Sequence, residues 1–255
     1  MEKNKIYLLD VNDFLSQIKN NSIDLIIADP PYNIGVDEWD IFKSQKEYWD
    51  FMFRWINKSI DKLKKGGSIY IFNNQFNSAI ILNYLVKKGL NFNNWITWYK
   101  KDGFHPTKSK FVNNQETILF FSKGKPKTFN FDDVRIPYLS KERISSPKGM
   151  KGKNGKVWFP NPNGKLCPDV WDMVSERHKL KKNGRTVKLS HPTTKPTLMI
   201  ERMIQASSNE GDTILDLFAG SGQTSVLSKK MKRNFLACEI NKKYFNTCLE
   251  RLKNE

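Results

Sequence analysis

Cysteine and histidine are scarce. Three cysteines in 255 residues (Cys167, Cys238 and Cys248) make neither a disulfide framework nor a thiolate zinc site. Three histidines (His105, His178 and His191) lie far apart without ligand spacing, so no metal centre is expected. Long apolar runs are missing too. The run Ile23–Ala28 is broken by Asp24 and falls far short of the roughly 20 residues a membrane-crossing helix needs. Met1–Asp10 shows no basic-then-apolar signal pattern. These absences argue for a reduced, cytoplasmic protein with no membrane partner. Acidic residues are the remaining shortage: 26 Asp and Glu face 43 Lys and Arg, a net charge of +17.

That surplus implies a polyanionic partner, most simply nucleic acid. It is also concentrated. Lys100 to Pro196 holds 22 basic and 8 acidic residues, a net of +14, whereas the rest of the chain is close to balance at +3. One central segment therefore carries the binding charge, and Lys100, Lys101, Arg135, Arg143, Arg177, Lys179 and Arg185 are its candidate nucleic-acid contacts, with a phosphate or purely structural role open to any single Arg.

On either side of that segment, strand-like and helix-like stretches alternate. Ile23–Ala28 reads as a buried strand, Glu47–Leu63 as a helix stopped by Gly66 and Gly67, Ser68–Phe72 as a strand and Phe76–Val86 as a helix. Trp95–Tyr99 and Thr117–Ser122 read as a strand pair with a long connection. From Lys123 to Leu189 the chain is rich in Lys, Pro, Gly and Asn and reads as loops and short elements. Alternation then resumes with a helix at Thr197–Ser207, a strand at Thr213–Leu217, a helix through Met231, a strand at Asn234–Ile240 and a helix at Lys242–Leu252. The pattern predicts an α/β, doubly wound, mostly parallel sheet, with 1–122 and 191–255 as two halves of one core and 123–190 as a basic insertion.

Two predicted strand ends carry chemistry. Asp29-Pro30-Pro31-Tyr32-Asn33 joins a carboxylate to a stiff turn that lacks two N–H donors and to an aromatic ring. It can accept hydrogen bonds from an exocyclic amine and stack on a flat heterocycle. The second, Asp216-Leu217-Phe218-Ala219-Gly220-Ser221-Gly222, is neither a dinucleotide fingerprint nor a P-loop, but its glycines admit close approach of a ligand. Glu239 ends the following strand, where an acid can accept from ribose hydroxyls or serve only as a helix N-terminal acid.

These residues together resemble the amino-methyltransferases that modify DNA with S-adenosylmethionine. The order of catalytic loop, basic insertion, His191-Pro192-Thr193-Thr194-Lys195-Pro196 and cofactor loop is similar to that of the circularly permuted β class, whose fold is Rossmann-like. The stretches Asn94–Trp98, Gln115–Lys123 and Trp158–Gly164 resemble the MboII-type adenine methyltransferases of restriction–modification systems.

The resemblance implies that Asp29, Pro30, Pro31 and Tyr32 are catalytic, acting on N6 of an adenine flipped out of the duplex. It implies that Phe218, Gly220 and Gly222, with Asp216, Ala219, Ser221 and Asp29 beside them, hold the methionine part of S-adenosylmethionine. Glu239 is then placed at the ribose, Asp10 at the cofactor adenine, and Thr193 and Lys195 near the cofactor carboxylate. Asp10 also reads as a helix cap. A Trp of the Trp95–Tyr99 region is a candidate stacking partner for the flipped base or a core aromatic. Implied partners are double-stranded DNA, a second copy of the chain, and a cognate restriction endonuclease as genetic partner. The alternatives are an N4-cytosine or RNA amino-methyltransferase, and a catalytically idle nucleic-acid-binding module.

Overall fold

A computed structural model describes residues 1–101, 107–140, 149–152, 154–175, 179–182, 185–188 and 194–254, with 179–182 and 185–188 described by backbone alone. In chain order the elements are β1 (Lys5–Leu8), α1 (Val11–Ser16), β2 (Ile23–Ala28), α2 (Gln45–Lys62), β3 (Leu63–Asn73), α3 (Gln75–Lys87), β4 (Asn91–Lys100) and β5 (Gln115–Ser122). The middle supplies β6 (Met150–Lys151), β7 (Val157–Trp158), β8 (Val170–Met173), β9 (Lys179–Lys182) and β10 (Arg185–Lys188). The chain closes with α4 (Thr197–Ser207), β11 (Thr213–Asp216), α5 (Gln223–Lys230), β12 (Asn234–Glu239) and α6 (Lys242–Asn254).

Eight strands form one sheet in the order β1-β12-β11-β2-β3-β5-β4-β8, and β5 runs against the rest. The expected doubly wound α/β sheet is present. Alternation along each strand makes it two-sided. Ile26 and Ala28 of β2 face a core built with α1, α2 and α3. Leu25 and Ile27 face the opposite core, to which Met199, Ile200, Met203 and Ile204 of α4 contribute. The one acid inside β2 has a job. Asp24 pairs with Lys64 at 2.7 Å and accepts the Thr213 N–H at 2.9 Å, pinning the strand to both neighbours.

The structure departs from the sequence reading in two places. Gly66 and Gly67 do not simply stop a helix: α2 ends at Lys62 and β3 runs straight through both glycines. Gly66 has φ of +80°, and a Cβ there would lie 2.8 Å from the Cβ of Lys127. The glycine therefore serves an irregular strand crossed closely by another segment. Second, the stretch 123–190 is not wholly separate from the core. Val170–Met173 extends the main sheet beside β4, and Trp171 and Met173 are buried in it. Its other strands form two small hairpins, β6–β7 and β9–β10. Among the described residues no helix is long and apolar enough to cross a membrane.

Candidate active site

The sheet order reverses between β2 and β11, which lie side by side and parallel. Ligands in such sheets bind beyond the strand carboxyl ends at this point. The Asp29–Asn33 loop leaves β2 there, and the Asp216–Gly222 loop leaves β11 next to it. Both line one cavity of about 480 Å³, and Asp10 (after β1) and Glu239 (ending β12) line its wall. The two ends of the chain thus build one site.

The first loop is held from below. The buried Asp40 carboxylate accepts the backbone N–H groups of Tyr32 (2.6 Å), Asn33 (2.8 Å), Ile34 (3.0 Å) and Val36 (3.1 Å). The Pro31 carbonyl accepts the Tyr48 hydroxyl at 3.2 Å, and the Tyr32 carbonyl accepts the Asn77 amide at 2.9 Å. Among the described residues no donor meets the Pro30 carbonyl. Prolines at 30 and 31 remove two donors, and Asp40 collects the next ones, so the loop presents acceptors to the cavity.

Asp29 sits in a charged cluster. Its Oδ1 accepts the Tyr32 hydroxyl at 2.9 Å, and its Oδ2 lies 3.0 Å from Nζ of Lys195. Glu116, on β5, accepts the same Tyr32 hydroxyl at 3.2 Å and lies 3.1 Å from the same Lys195 Nζ. Lys100 binds the other oxygen of Glu116. Burial raises the Asp29 carboxyl, against the pull of Lys195. At Glu116, burial is outweighed by Lys195 and Lys100, which hold the carboxyl below its usual range. Burial alone would lower Lys195, but Asp29 and Glu116 raise it, so this buried ammonium stays charged.

The second loop is clamped by two side chains. Glu239 accepts the Gly220 N–H and the Asn241 N–H, each at 2.8 Å, so it anchors the loop as well as lining the cavity. Arg251, buried on α6, donates to the Ser221 carbonyl at 2.9 Å and to Gln223 at 2.7 Å. Gly222 has φ of +75°, and a Cβ there would lie 3.1 Å from both Cβ and Sγ of Cys248. Only glycine suits that turn. Burial pushes the Asp216 carboxyl up to about 7, with Glu239 and Asp29 adding like charge against the Phe218 N–H and Thr224.

The structure brings together Asp29, Pro30, Pro31, Tyr32, Asp10, Lys195, Asp216, Phe218, Ala219, Gly220, Ser221 and Glu239 around one cavity, with Gly222 in the same loop. Asp10 also caps α1, accepting the Asn12 N–H at 2.8 Å. The basic residues divide. Lys100 lines the cavity and pairs with Glu116. Arg135 is committed to Asp132 at 2.7 Å and to the Gly164 carbonyl at 2.8 Å, so its guanidinium braces a loop. Lys101 is exposed and pairs with Asp172 at 2.7 Å. Arg143, Arg177 and Thr193 lie outside the described residues. Lys179 and Arg185 lie on the β9–β10 hairpin, described by backbone alone.

Trp98 is not a free stacking ring: it is buried and donates to the Met173 carbonyl at 2.9 Å. Burial pushes the thiols of Cys238 and Cys167 up, Cys238 strongly, so neither is primed as a nucleophile. Among the described residues no His, Cys, Asp and Glu group could hold a metal ion.

Sequence reasoning missed Asp40, Glu116 and Arg251 as site residues. Arg251 had a signal, since it follows Tyr244 and Cys248 at helical spacing on the buried face of α6. Asp40 had none, because backbone N–H acceptors in a loop leave no pattern.

A sequence profile of the family described as DNA methylase matches residues 23–250. The chain is 54% identical over 248 residues to the type II methyltransferase M1.MboII of Moraxella bovis, covering 96% of this chain and 95% of that protein. It is 33% identical over 241 residues to the DNA adenine methyltransferase YhdJ of Escherichia coli (strain K12), covering 93% of this chain and 79% of that one. Among solved structures, the M1.HpyAVI–SAM complex is similar with a TM-score of 0.62 and 25% identity, covering 97% of this chain and 99% of that one. The PvuII DNA methyltransferase, cytosine-N4-specific, shares the fold with a TM-score of 0.72 at 16% identity, covering 98% of this chain and 86% of that one. One cavity at the sheet's reversal point, built by an Asp-Pro-Pro-Tyr loop and a glycine loop in permuted order, agrees with these likenesses, and the chain belongs to the DNA methylase family, among its MboII-type members.

Proposed function

We propose that this protein transfers a methyl group from S-adenosylmethionine to N6 of an adenine in double-stranded DNA, as the modification enzyme of a restriction–modification system. The observation that carries the reading is the pairing of two acceptors, the Asp29 carboxylate and the Pro30 carbonyl, beside the Tyr32 ring at the cavity of the glycine loop. An adenine amine is a poor nucleophile because its lone pair is delocalised into the ring. Accepting both its hydrogens favours a pyramidal nitrogen with the lone pair exposed. Asp29 does so from one side and Pro30 from the other, and holding the amine in place lowers the barrier further. The Tyr32 hydroxyl now occupies Oδ1 of Asp29, and the amine takes its place as the ring turns to stack on the base. Asp29 then accepts the proton the amine sheds.

The residues present fit the cofactor. Beyond the charge-balanced cluster of Asp29, Glu116, Lys195 and Lys100, the acids Asp10, Asp216 and Glu239 line the cavity, which complements a net cation. Bound there, S-adenosylmethionine supplies an activated methyl on a sulfonium. Glu239 and Asp10 would hold its nucleoside and the Phe218–Gly222 turn its methionine part. DNA reading is assigned to the basic stretch 123–190. The role places the enzyme in the cytoplasm beside genomic DNA, with a cognate endonuclease as genetic partner and a homodimer as its assembly. Incubation with labelled S-adenosylmethionine and DNA, followed by digestion to nucleosides, tests the reading. N6-methyladenine is expected. N4-methylcytosine, or label in RNA alone, rejects it.

The charge of Asp216 makes cofactor binding depend on pH. With its carboxyl raised to about 7, Asp216 holds a proton below that pH and releases it above. A cationic ligand favours the ionised form. Affinity for S-adenosylmethionine should therefore climb by up to about tenfold per pH unit below 7 and level off above it. Calorimetry across that range should show proton release on binding, and Asp216→Asn should flatten the curve. A flat wild-type curve overturns this.

A further inference from the structure

The catalytic loop does not stand alone. Two charged side chains from distant parts of the chain converge on Asp29 and Tyr32, Glu116 from β5 and Lys195 from the segment before α4, and Lys100 of β4 backs Glu116. Lys195 lies between two carboxylates, 3.0 Å from Asp29 and 3.1 Å from Glu116, with its ammonium over the rings of Tyr32 and Phe72. The Tyr32 hydroxyl bridges the same two carboxylates. Each of the two donors that touch Asp29 is therefore shared with Glu116.

We propose, on the methyl-transfer reading above, that Glu116 is a positioning residue for that reaction: through Lys195 and the Tyr32 hydroxyl it fixes the orientation of the Asp29 carboxylate and limits how much of the Lys195 charge Asp29 receives.

A carboxylate given a buried ammonium to itself is strongly stabilised as the anion and becomes a poor proton acceptor. Glu116 prevents this by drawing Lys195 towards itself, while Lys100 neutralises the second charge and keeps Glu116 ionised. The arrangement contains two acids and two bases, so the cluster adds no net charge at a site that must also admit a cationic cofactor. Glu116 has a second task. When the Tyr32 hydroxyl leaves Asp29 to make room for the amine, Glu116 is already its other acceptor, so the hydroxyl need not be left unpaired in a partly buried site. The titratable groups facing Asp29 are Tyr32 in its own loop, Glu116, Lys195 and, across the cavity from β11, Asp216.

Glu116→Gln separates the pieces, because it keeps the shape and removes the charge. Lys195 then belongs to Asp29. The single-turnover rate at saturating DNA and cofactor is expected to fall roughly 100-fold, the loss typical of a misplaced catalytic group. The acid limb of the pH–rate profile is expected to move to lower pH, and cofactor affinity to stay within about twofold. Glu116→Asp, which restores the charge on a shorter arm, should return the acid limb towards wild type. An acid limb that does not move in Glu116→Gln, or a rate loss matched by an equal loss of cofactor affinity, overturns the proposal. A ¹³C titration of the Asp29 carboxyl, identified by its absence in Asp29→Asn, needs no turnover. Its midpoint should fall in Glu116→Gln, and an unmoved midpoint overturns the coupling. Absence of any DNA methylation by the wild-type protein instead overturns the methyl-transfer reading, and the titration distinguishes the two failures.

Discussion

Asp29→Ala should abolish methyl transfer, by roughly 10³-fold or more, while the protein still folds and binds S-adenosylmethionine. The size follows from the two roles one carboxylate plays: it orients the amine lone pair and takes the proton, and no neighbour can replace it. Glu116 is the nearest other acid in the cluster, but Lys195 and Lys100 already engage it. The modest cost to stability follows from burial. At Asp29 the burial penalty exceeds the help from Lys195, so the folded protein gains little from the ionised group. Lys195 keeps Glu116 as its partner after the change. The test is a rapid-quench assay with labelled cofactor, alongside calorimetric cofactor binding and a thermal melt. Turnover near the wild-type rate in a folded Asp29→Ala protein would sink the catalytic assignment.

Asp40→Ala should damage both stability and rate, although Asp40 touches no part of the proposed chemistry. Its two oxygens accept four backbone N–H groups of the loop, two on each oxygen. Hydrogen bonds to an ionised acceptor are the stronger kind, and a buried donor left without one carries its full desolvation cost. The expected destabilisation is about 3 kcal/mol. The rate is expected to fall roughly 100-fold, because a loop freed at Tyr32 and Asn33 no longer holds Asp29 and Pro30 in register. Asp40→Asn separates volume from charge. An amide can serve only one of the two donor pairs and turns its own N–H groups towards the other, so it should be nearly as harmful as Ala. Urea unfolding and single-turnover rates measure the two effects. An Asp40→Asn enzyme with wild-type stability and rate would show that the loop holds its shape without this carboxylate.

Much of the fold was legible because it rests on short-range pattern. Ile23–Ala28 and Thr197–Ser207 have the predicted bounds, since one is a β-branched run before a proline turn and the other an amphipathic stretch after Pro196. Gly66 and Gly67 misled the reading. A glycine pair after a basic helix end is a common stop, and only the approach of Lys127 explains why the strand needs Gly66. Val170–Met173 was hidden for a related reason. Four residues in a basic, proline-rich stretch show too little alternation to reveal that they extend the main sheet.

The candidate site divides along the same line. The Asp29–Tyr32 and Phe218–Gly222 loops stood out because unusual residue types cluster at strand ends, where a parallel sheet binds its ligands. Charge made Lys100 and Arg135 candidate contacts and left a structural role open to the Arg, because charge does not say what a side chain faces. In the structure Glu116 turns Lys100 inward, and Asp132 with the Gly164 carbonyl ties Arg135 down.

By itself, then, the sequence determined the alternation of strands and helices, the two reactive loops and the central concentration of positive charge. All of these depend on neighbours in the chain. Tertiary structure alone decided which charges meet at the catalytic loop. Asp29, Glu116 and Lys195 come from the end of one strand, the middle of the sheet and the entry to a helix, and only the pairing of β2, β3, β5 and β11 brings them within hydrogen-bond reach. Ion pairs are specified by distance in space, and a one-dimensional pattern does not carry that distance.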